Sequence, residues 1–426
     1  MIFEPYWWAS APFDDVPSTP LNGGTAKVDV AVVGGGYTGL SAARVLARSG
    51  ASVMVLERAR IGAGASSRNA GQVLTGLKLD PATLVRRYGE SRARELFEMS
   101  LGAIAGLARL VGDESIECEL ERTGHLQAAS KPSHFDALRD EQALLARVFS
   151  HRVDLVPRAD QHVELGSDRY HGLLIDDASM AVHPGKYVHG LAMAAARAGA
   201  RLAANCEVTR IERTGARWTV STRDGRVDAA HVLIATNGYT GAVSPALQRR
   251  IVPIGSYVIV TEPLPADVAG RLLPRRRMAF DTKNFLYYFR LTSDRRLLFG
   301  GRAQFGPVTP DSTRHAAGIL GRAVVEVFPD LSVVRIDYAW SGTVGFTRDE
   351  MPHAGQLDGL YYAAGYCGHG IAMATMLGEV IARRIAGEPV RHPCLDFTFP
   401  PIPFYRGQPW FLPFVGAYYR VLDWVG

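Results

Sequence analysis

The sequence is poor in cysteine, has no long apolar run and carries no extended block of like charge, and each lack closes off a class of function. Its four cysteines in 426 residues, Cys118, Cys206, Cys367 and Cys394, include no C-x-x-C pair and no zinc spacing. That argues against a disulfide framework and against a metal site, and it fits a reducing compartment. No apolar run approaches the roughly 18 residues needed to span a bilayer, and Met1-Ile2-Phe3-Glu4-Pro5 lacks the basic and apolar regions of a signal peptide. A cytoplasmic location is expected. The net charge is only +5 and basic residues are scattered among acids. The short run Arg275-Arg276-Arg277 reads as a solvated loop, so nucleic acid is not expected as a partner.

What is present is apolar material, 47% of the chain, enough at this length for two domains. Near the N-terminus the β-like run Val28 to Val33 leads into Gly34-Gly35-Gly36-Tyr37-Thr38-Gly39, and then into the helical pattern Leu40 to Ala47. Gly34, Gly36 and Gly39 have the G-x-G-x-x-G spacing of a dinucleotide loop. The first permits a tight turn, the second lets backbone approach a pyrophosphate, and the third lets helix pack closely on strand. The pyrophosphate would sit at the positive helix end. A second apolar run closes on Glu57, followed by Arg58; the carboxylate suits ribose hydroxyls and disfavours a 2′-phosphate. FAD and NAD remain open at this point.

The stretch after Arg58, including Gly64, Ala65, Ser66, Ser67, Arg68, Asn69, Gly71 and Gln72, has few apolar side chains and many small polar donors. It reads as a loop alongside a polar ligand. Pro81 to Ser150 turns helical, with Leu96, Phe97, Leu101, Ile104, Leu107 and Leu110 near a 3.6 spacing. A helix is expected over 185–198, then a meander that includes Val208 and ends at Thr236-Asn237-Gly238. Strands dominate from Ile251 to Phe346, largely antiparallel. Near the C-terminus, Leu360 to Ala364 reads as a strand and Gly365-Tyr366-Cys367-Gly368-His369-Gly370 as a turn. Ile371 to Ala386 reads as a helix whose start would stabilise negative charge developing on a cofactor.

Taken in order, Tyr6-Trp7-Trp8-Ala9-Ser10, the Gly34 to Ala43 motif, Ser67-Arg68-Asn69 with Gly71-Gln72, Thr261-Glu262-Pro263-Leu264, and Gly365-Tyr366 with Gly368-His369-Gly370 carry a resemblance over nearly the whole chain. The sequence resembles the glycine oxidase, sarcosine oxidase and D-amino-acid oxidase superfamily, and within it the γ-glutamylputrescine oxidoreductase group. The resemblance implies FAD rather than NAD, and an α/β (α+β) fold. A glutathione-reductase-like Rossmann FAD-binding domain with a β-meander is expected from 1–80, 151–245 and 346–426. A substrate domain, a mostly antiparallel sheet flanked by helices, is expected from 81–150 and 246–345. The reaction implied is oxidation of a C–N bond in an amine, polyamine conjugate or small amino acid to an imine that water hydrolyses.

Relatives that tether flavin covalently use a cysteine in the segment corresponding to Ser341-Gly342-Thr343-Val344. None stands there, which implies noncovalent FAD, with Cys367 a small packed residue. On the substrate side the candidates are Tyr257, Tyr287, Tyr288 and Trp340 as an aromatic wall and Arg302 as a partner for a substrate carboxylate. His369 would orient the flavin, assist a proton or simply serve structure. The electron acceptor, whether oxygen, a quinone or a partner protein, is left open. A rival reading is a flavin-bearing subunit of a multi-component dehydrogenase that docks through the aromatic tail from Trp410 to Trp424. A flavin-bearing modifier of RNA bases is disfavoured by the unclustered basic residues.

Overall fold

A computed structural model describes residues 1–301 and 308–425. The run Val28 to Val33 becomes the centre of an eight-stranded sheet because it is flanked on both edges: Thr25–Val33 pairs in parallel with Gly225–Ile234 on one side and Val53–Leu56 on the other. A central parallel strand is covered on both faces, so its sequence is continuously apolar rather than alternating. Arg201–Ala203 extends the sheet beyond Val53–Leu56, and the hairpin His353–Leu357 and Leu360–Ala364 extends it beyond Gly225–Ile234. The expected meander is present as Val208–Thr214 and Arg217–Thr222, antiparallel to each other and to Gly225–Ile234.

Two helices leave this sheet and cross one another, Tyr37–Arg48 and Gly370–Ile385. The crossing is close because Gly378 lacks a side chain: a Cβ there would lie 2.5 Å from the Thr38 carbonyl oxygen. Ser41 donates to the Thr375 carbonyl at 2.8 Å across the contact. The two helix starts are thereby held side by side.

The second eight-stranded sheet runs Ile336–Phe346, Val252–Thr261, Leu297–Gly301, Tyr287–Leu291, Met278–Asp281, His125–Ala128, Gly172–Asp176, Asp154–Pro157. All its pairings are antiparallel except that of Met278–Asp281 with His125–Ala128. Ile2 bridges Tyr338 beside its long first strand.

Three expectations need correction. The segment 151–245 does not belong wholly to the first sheet, since Asp154–Pro157 and Gly172–Asp176 pair in the second; strands of four or five residues are too short to declare a period. An eighteen-residue helix, Pro310–Val327, interrupts what reads as strands. Its signals were present, an N-cap Thr309, Pro310 at the first turn and apolar residues from Ala316 to Val327 at helical spacing. Finally, Arg277 is not solvated. It is buried with Glu164 at 2.9 Å and Asp177 as partners, and Arg276 faces Glu121.

Among the described residues no helix is long and apolar enough to cross a membrane.

Candidate active site

One cavity of about 1330 Å³ runs between the two sheets, from the Gly34 loop to the helices Pro81–Asp113 and Pro132–Phe149. Its first end is a cradle of main chain. Gly34 has φ +111°, and a Cβ on Gly39 would lie 2.0 Å from the Gly34 carbonyl oxygen. A Cβ on Gly36 would meet Ser66 Oγ at 2.7 Å, and that hydroxyl accepts the Tyr37 N–H at 3.0 Å. Glu57 is fixed by the backbone N–H groups of Gly35 (2.8 Å) and Ala59 (3.1 Å) while facing the cavity. Beyond it Arg58 lies over the Tyr239 ring, 5.3 Å from the centroid, and Val208 lines the same end.

The small-residue loop is held rigid by its own hydrogen bonds. Ser67 Oγ donates to the Gly62 carbonyl at 2.6 Å, Arg68 Nε to Ala63 at 2.9 Å, and Asn69 Nδ2 to Ala65 and Ser66 at 3.0 and 3.1 Å. Asn69 Oδ1 accepts the Gly71 N–H at 2.8 Å. Three indoles then pin the loop from outside. Trp7 Nε1 donates to the Asn69 carbonyl, Trp8 Nε1 to Ser67 Oγ, and Trp340 Nε1 to the Arg68 carbonyl, at 2.8, 2.8 and 2.9 Å. This gives the Tyr6-Trp7-Trp8 motif a physical task.

Opposite, Gly365, Cys367 and Gly368 all have positive φ, which turns the chain sharply into the Gly370–Ile385 helix. Asn237 Oδ1 accepts the Gly365 N–H at 2.9 Å, and a Cβ on Gly238 would lie 2.9 Å from the Gly345 nitrogen. The Tyr366 hydroxyl meets Thr38 Oγ1 at 2.6 Å, tying the two halves of the cradle together, and burial pushes its pKa up. Gly368, His369, Gly370 and Ile371 face the cavity. Among the described residues His369 Nδ1 is buried without a hydrogen-bond partner, and burial pushes the imidazole pKa down to about 3. Burial thus favours the neutral ring.

A dinucleotide with a flavin head fits these residues on two counts. The glycines leave room where any side chain would collide with main chain or Ser66, and His369 offers an unpaired nitrogen. Gly39, Ser67, Gly71, Gly238 and Gly365 do not line the cavity; they shape the residues that do. Gln72 lines it on the side of the second sheet.

At the other end the sequence candidates separate. Tyr288 lines the cavity and its hydroxyl meets Ser256 Oγ at 2.9 Å. Tyr257 is buried in the core of the second sheet, with its hydroxyl donating to Ser312 Oγ at 3.2 Å, and does not line the cavity. Trp340 is likewise removed from it, and Tyr287 packs on Phe299 with the Lys283 ammonium 3.7 Å from its ring centroid. In each case core packing claims the aromatic ring. Arg302 lies outside the described residues.

Several residues here carry no motif. His125, Gln127, Leu174, Asp176 and Phe280 share one face of the second sheet, because His125 is registered with Asp176, and Gln127 with both Leu174 and Phe280. Asp176 accepts from Thr75 Oγ1 at 2.6 Å and pairs with His151 Nε2 at 2.8 Å, which draws its pKa down to about 2. His125 Nδ1 meets Ser179 Oγ at 2.8 Å, and burial lowers its pKa to about 4. Lys78 and Glu141 also line this end, neither with an ion-pair partner among the described residues. Carboxylates therefore stand in this wall beside the aromatic rings.

A family model described as FAD dependent oxidoreductase matches residues 29–384. The chain is 35% identical over 421 residues to γ-glutamylputrescine oxidoreductase of Escherichia coli, an alignment covering 98% of this chain and 96% of that protein. It is 27% identical to glycine oxidase of Geobacillus kaustophilus over 84% of this chain and 93% of that one. The crystal structure of the glycine oxidase from that organism aligns with a TM-score of 0.73 at 22% identity, covering 89% of this chain and 98% of that chain. L-Proline dehydrogenase from P. horikoshii aligns with a TM-score of 0.70 at 21% identity, covering 85% and 94%. At those identities the two solved structures attest the shared fold.

Proposed function

Because this chain belongs to the FAD-dependent oxidoreductase family, whose model spans residues 29–384, we propose that it oxidises the C–N bond of an amine, polyamine conjugate or small amino acid to an imine that water then hydrolyses. The observation that carries the reading is the single cavity joining the glycine cradle, through the start of the Gly370–Ile385 helix, to an end walled by Tyr288 and Phe280. Relatives named for oxidising γ-glutamylputrescine and glycine support the chemistry.

Bound FAD supplies a hydride acceptor. The chain's own residues do the rest. Glu57 would hold a ribose, and the Gly36 main chain at the positive start of the Tyr37–Arg48 helix would receive the pyrophosphate. The second helix start, at Gly370, lines the cavity and would offer oriented N–H groups to a negatively charged cofactor ring. His369 borders that position as a neutral ring, adding shape and a hydrogen-bonding nitrogen rather than a positive charge. Tyr288 and Phe280 exclude water from the reacting amine, which lowers its pKa toward the free base that oxidation requires.

FAD is proposed to be held without a covalent bond. Cys367 is buried, its thiol donates to the Gly365 carbonyl at 3.2 Å, and burial pushes its pKa up to about 12. Such a thiol is a poor nucleophile.

The reading is tested by adding a panel of amines, amino acids and hydroxy acids to the yellow protein under anaerobic conditions, then admitting air. Amines should bleach the flavin, and recovery in air reports the acceptor. Bleaching by hydroxy acids alone would overturn the reading. The rival, a subunit feeding electrons to a partner protein, draws on the exposed Trp410, Phe414 and Tyr418 of the C-terminal segment. It predicts turnover only when a partner is added.

A further inference from the structure

The helix Pro132–Phe149 buries Leu138, Leu145, Val148 and Phe149 on one stripe. Glu141 falls within that stripe, three residues after Leu138 and four before Leu145, where helical spacing calls for an apolar side chain. Its surroundings are apolar as well. The arm of the cavity that Glu141 faces is walled by Leu77, Leu84, Phe97, Leu145, Val153 and Leu174. No hydrogen bond or ion pair engages its carboxylate among the described residues, and the charge that acts on it is that of Asp80, of the same sign. Burial with Asp80 nearby pushes its pKa up to about 7.

An unpaired carboxylate in an apolar wall lowers stability, and a fold that served only packing would place leucine there. The cost is recovered when a ligand brings a cation to it. The walls determine what must carry that cation: methylene groups, which bury against leucine and phenylalanine, with the charge at the far end of the chain. Lys78, which also lines the cavity without an ion-pair partner among the described residues, acts through its charge on the His369 ring. The arm thus offers an unpaired carboxylate among apolar side chains, while the Lys78 charge acts at His369.

We propose that this arm binds the distal end of the substrate, an aliphatic chain ending in an ammonium group, and that Glu141 is the specificity-determining residue that pairs with it. The inference rests on the amine reading above and narrows it. Free diamines and basic amino acids share the required chemistry. A simple alkylamine reaches the flavin end equally well but leaves Glu141 without a partner.

The test uses the FAD-loaded enzyme and two pairs of probes, cadaverine with hexylamine, and lysine with norleucine, read as kcat/KM for anaerobic flavin reduction. Within at least one pair the cationic tail should be preferred, and that pair identifies the source, diamine or amino acid. Glu141→Gln should reduce the preference by about 10- to 100-fold, the size of one charge-assisted hydrogen bond, with little change for the neutral-tailed probe. Glu141→Leu, which completes the apolar stripe, should raise the melting temperature and favour the neutral tail. In wild type, calorimetry in buffers of different ionisation enthalpy at neutral pH should detect more proton release on binding of the cationic-tailed probe than of its neutral-tailed partner, and Glu141→Gln should remove that difference. Equal loss for both members of each pair in Glu141→Gln, or no wild-type preference while amines still bleach the flavin, overturns the role of Glu141 alone. Failure of every amine to bleach it overturns the amine reading as well.

Discussion

The two ends of the cavity are built from different materials. The dinucleotide end is main chain and small residues contributed mainly by two strand-turn-helix units, and its tolerances are set by backbone contacts such as Gly39 against Gly34. The far end is side chains, His125, Asp176, Glu141, Phe280 and Tyr288, from separate strands and helices, and its character is set by their charges and partners. Backbone recognition suits a cofactor shared by many enzymes, because it depends on shape that a few glycines secure. Side-chain recognition suits a substrate, because single replacements can retune it.

If this division holds, substitutions at the first end act on flavin retention and those at the second on turnover or stability, with sizes set by what gives way. Gly39→Leu should have the largest effect. Its Cβ meets the Gly34 carbonyl, which belongs to the loop itself, so the expected outcome is protein without flavin, read as the ratio of visible to ultraviolet absorbance. Gly36→Ala should be milder, since the obstructing Ser66 hydroxyl can rotate away. Equal loss in the two variants would break the backbone account.

Trp340 reaches from the second sheet to the first end, and so sharpens the comparison. Trp340→Phe keeps the ring but leaves the Arg68 carbonyl unpaired, at a cost of about 1 to 3 kcal/mol. The apparent FAD dissociation constant should rise while KM for an amine stays put. A change in KM alone would return Trp340 to the substrate wall.

The next effect is one of pH. An unfolded histidine takes up a proton near pH ~6.5, whereas burial keeps folded His125 neutral down to about 4. Its contribution is intact above the higher value and is lost as the pH falls toward the lower one. Urea midpoints measured across that window should fall less steeply in His125→Asn than in wild type. Parallel curves would mean that other groups govern acid stability.

The smallest effect belongs to Cys367→Ser. The thiol is packed and protonated, so flavin should still leave with the supernatant after acid precipitation, and stability should fall by about 1 kcal/mol, because the new hydroxyl is buried but can keep the Gly365 carbonyl as its partner. Flavin that stays with the wild-type pellet but not with the variant's would establish a tether.

The same division explains what could be read from the chain alone. Gly34, Gly36, Gly39 and Glu57 act through local geometry that sequence spacing encodes, and so do the turn at Gly365 and the meander ending at Asn237. His125, Asp176 and Phe280 meet only because short strands from three parts of the chain fall into register, and no window along the sequence contains that register. Tyr257 and Trp340 are aromatic residues on the right strands, but a strand has two faces, and theirs turn to the core and to the loop. Glu141 was legible in principle, as a charge on an apolar stripe. The period of a helix marks its buried face, and a single charge on that face leaves the period unchanged.

The pinning of the loop also bears on how the protein is made. Ile2 pairs with the strand at Tyr338, and Trp7 and Trp8 bond to Asn69 and Ser67, whose neighbour Arg68 is held by Trp340. Residues synthesised early must therefore wait for some three hundred more before their last partners exist. Such distant pairings form late, and incomplete chains expose apolar surface while they wait. A ribosome-stalled chain ending before residue 336 would carry the Gly34 loop and Glu57 yet lack the strand that clamps their neighbour, so firm cofactor capture belongs to the closing stage of synthesis.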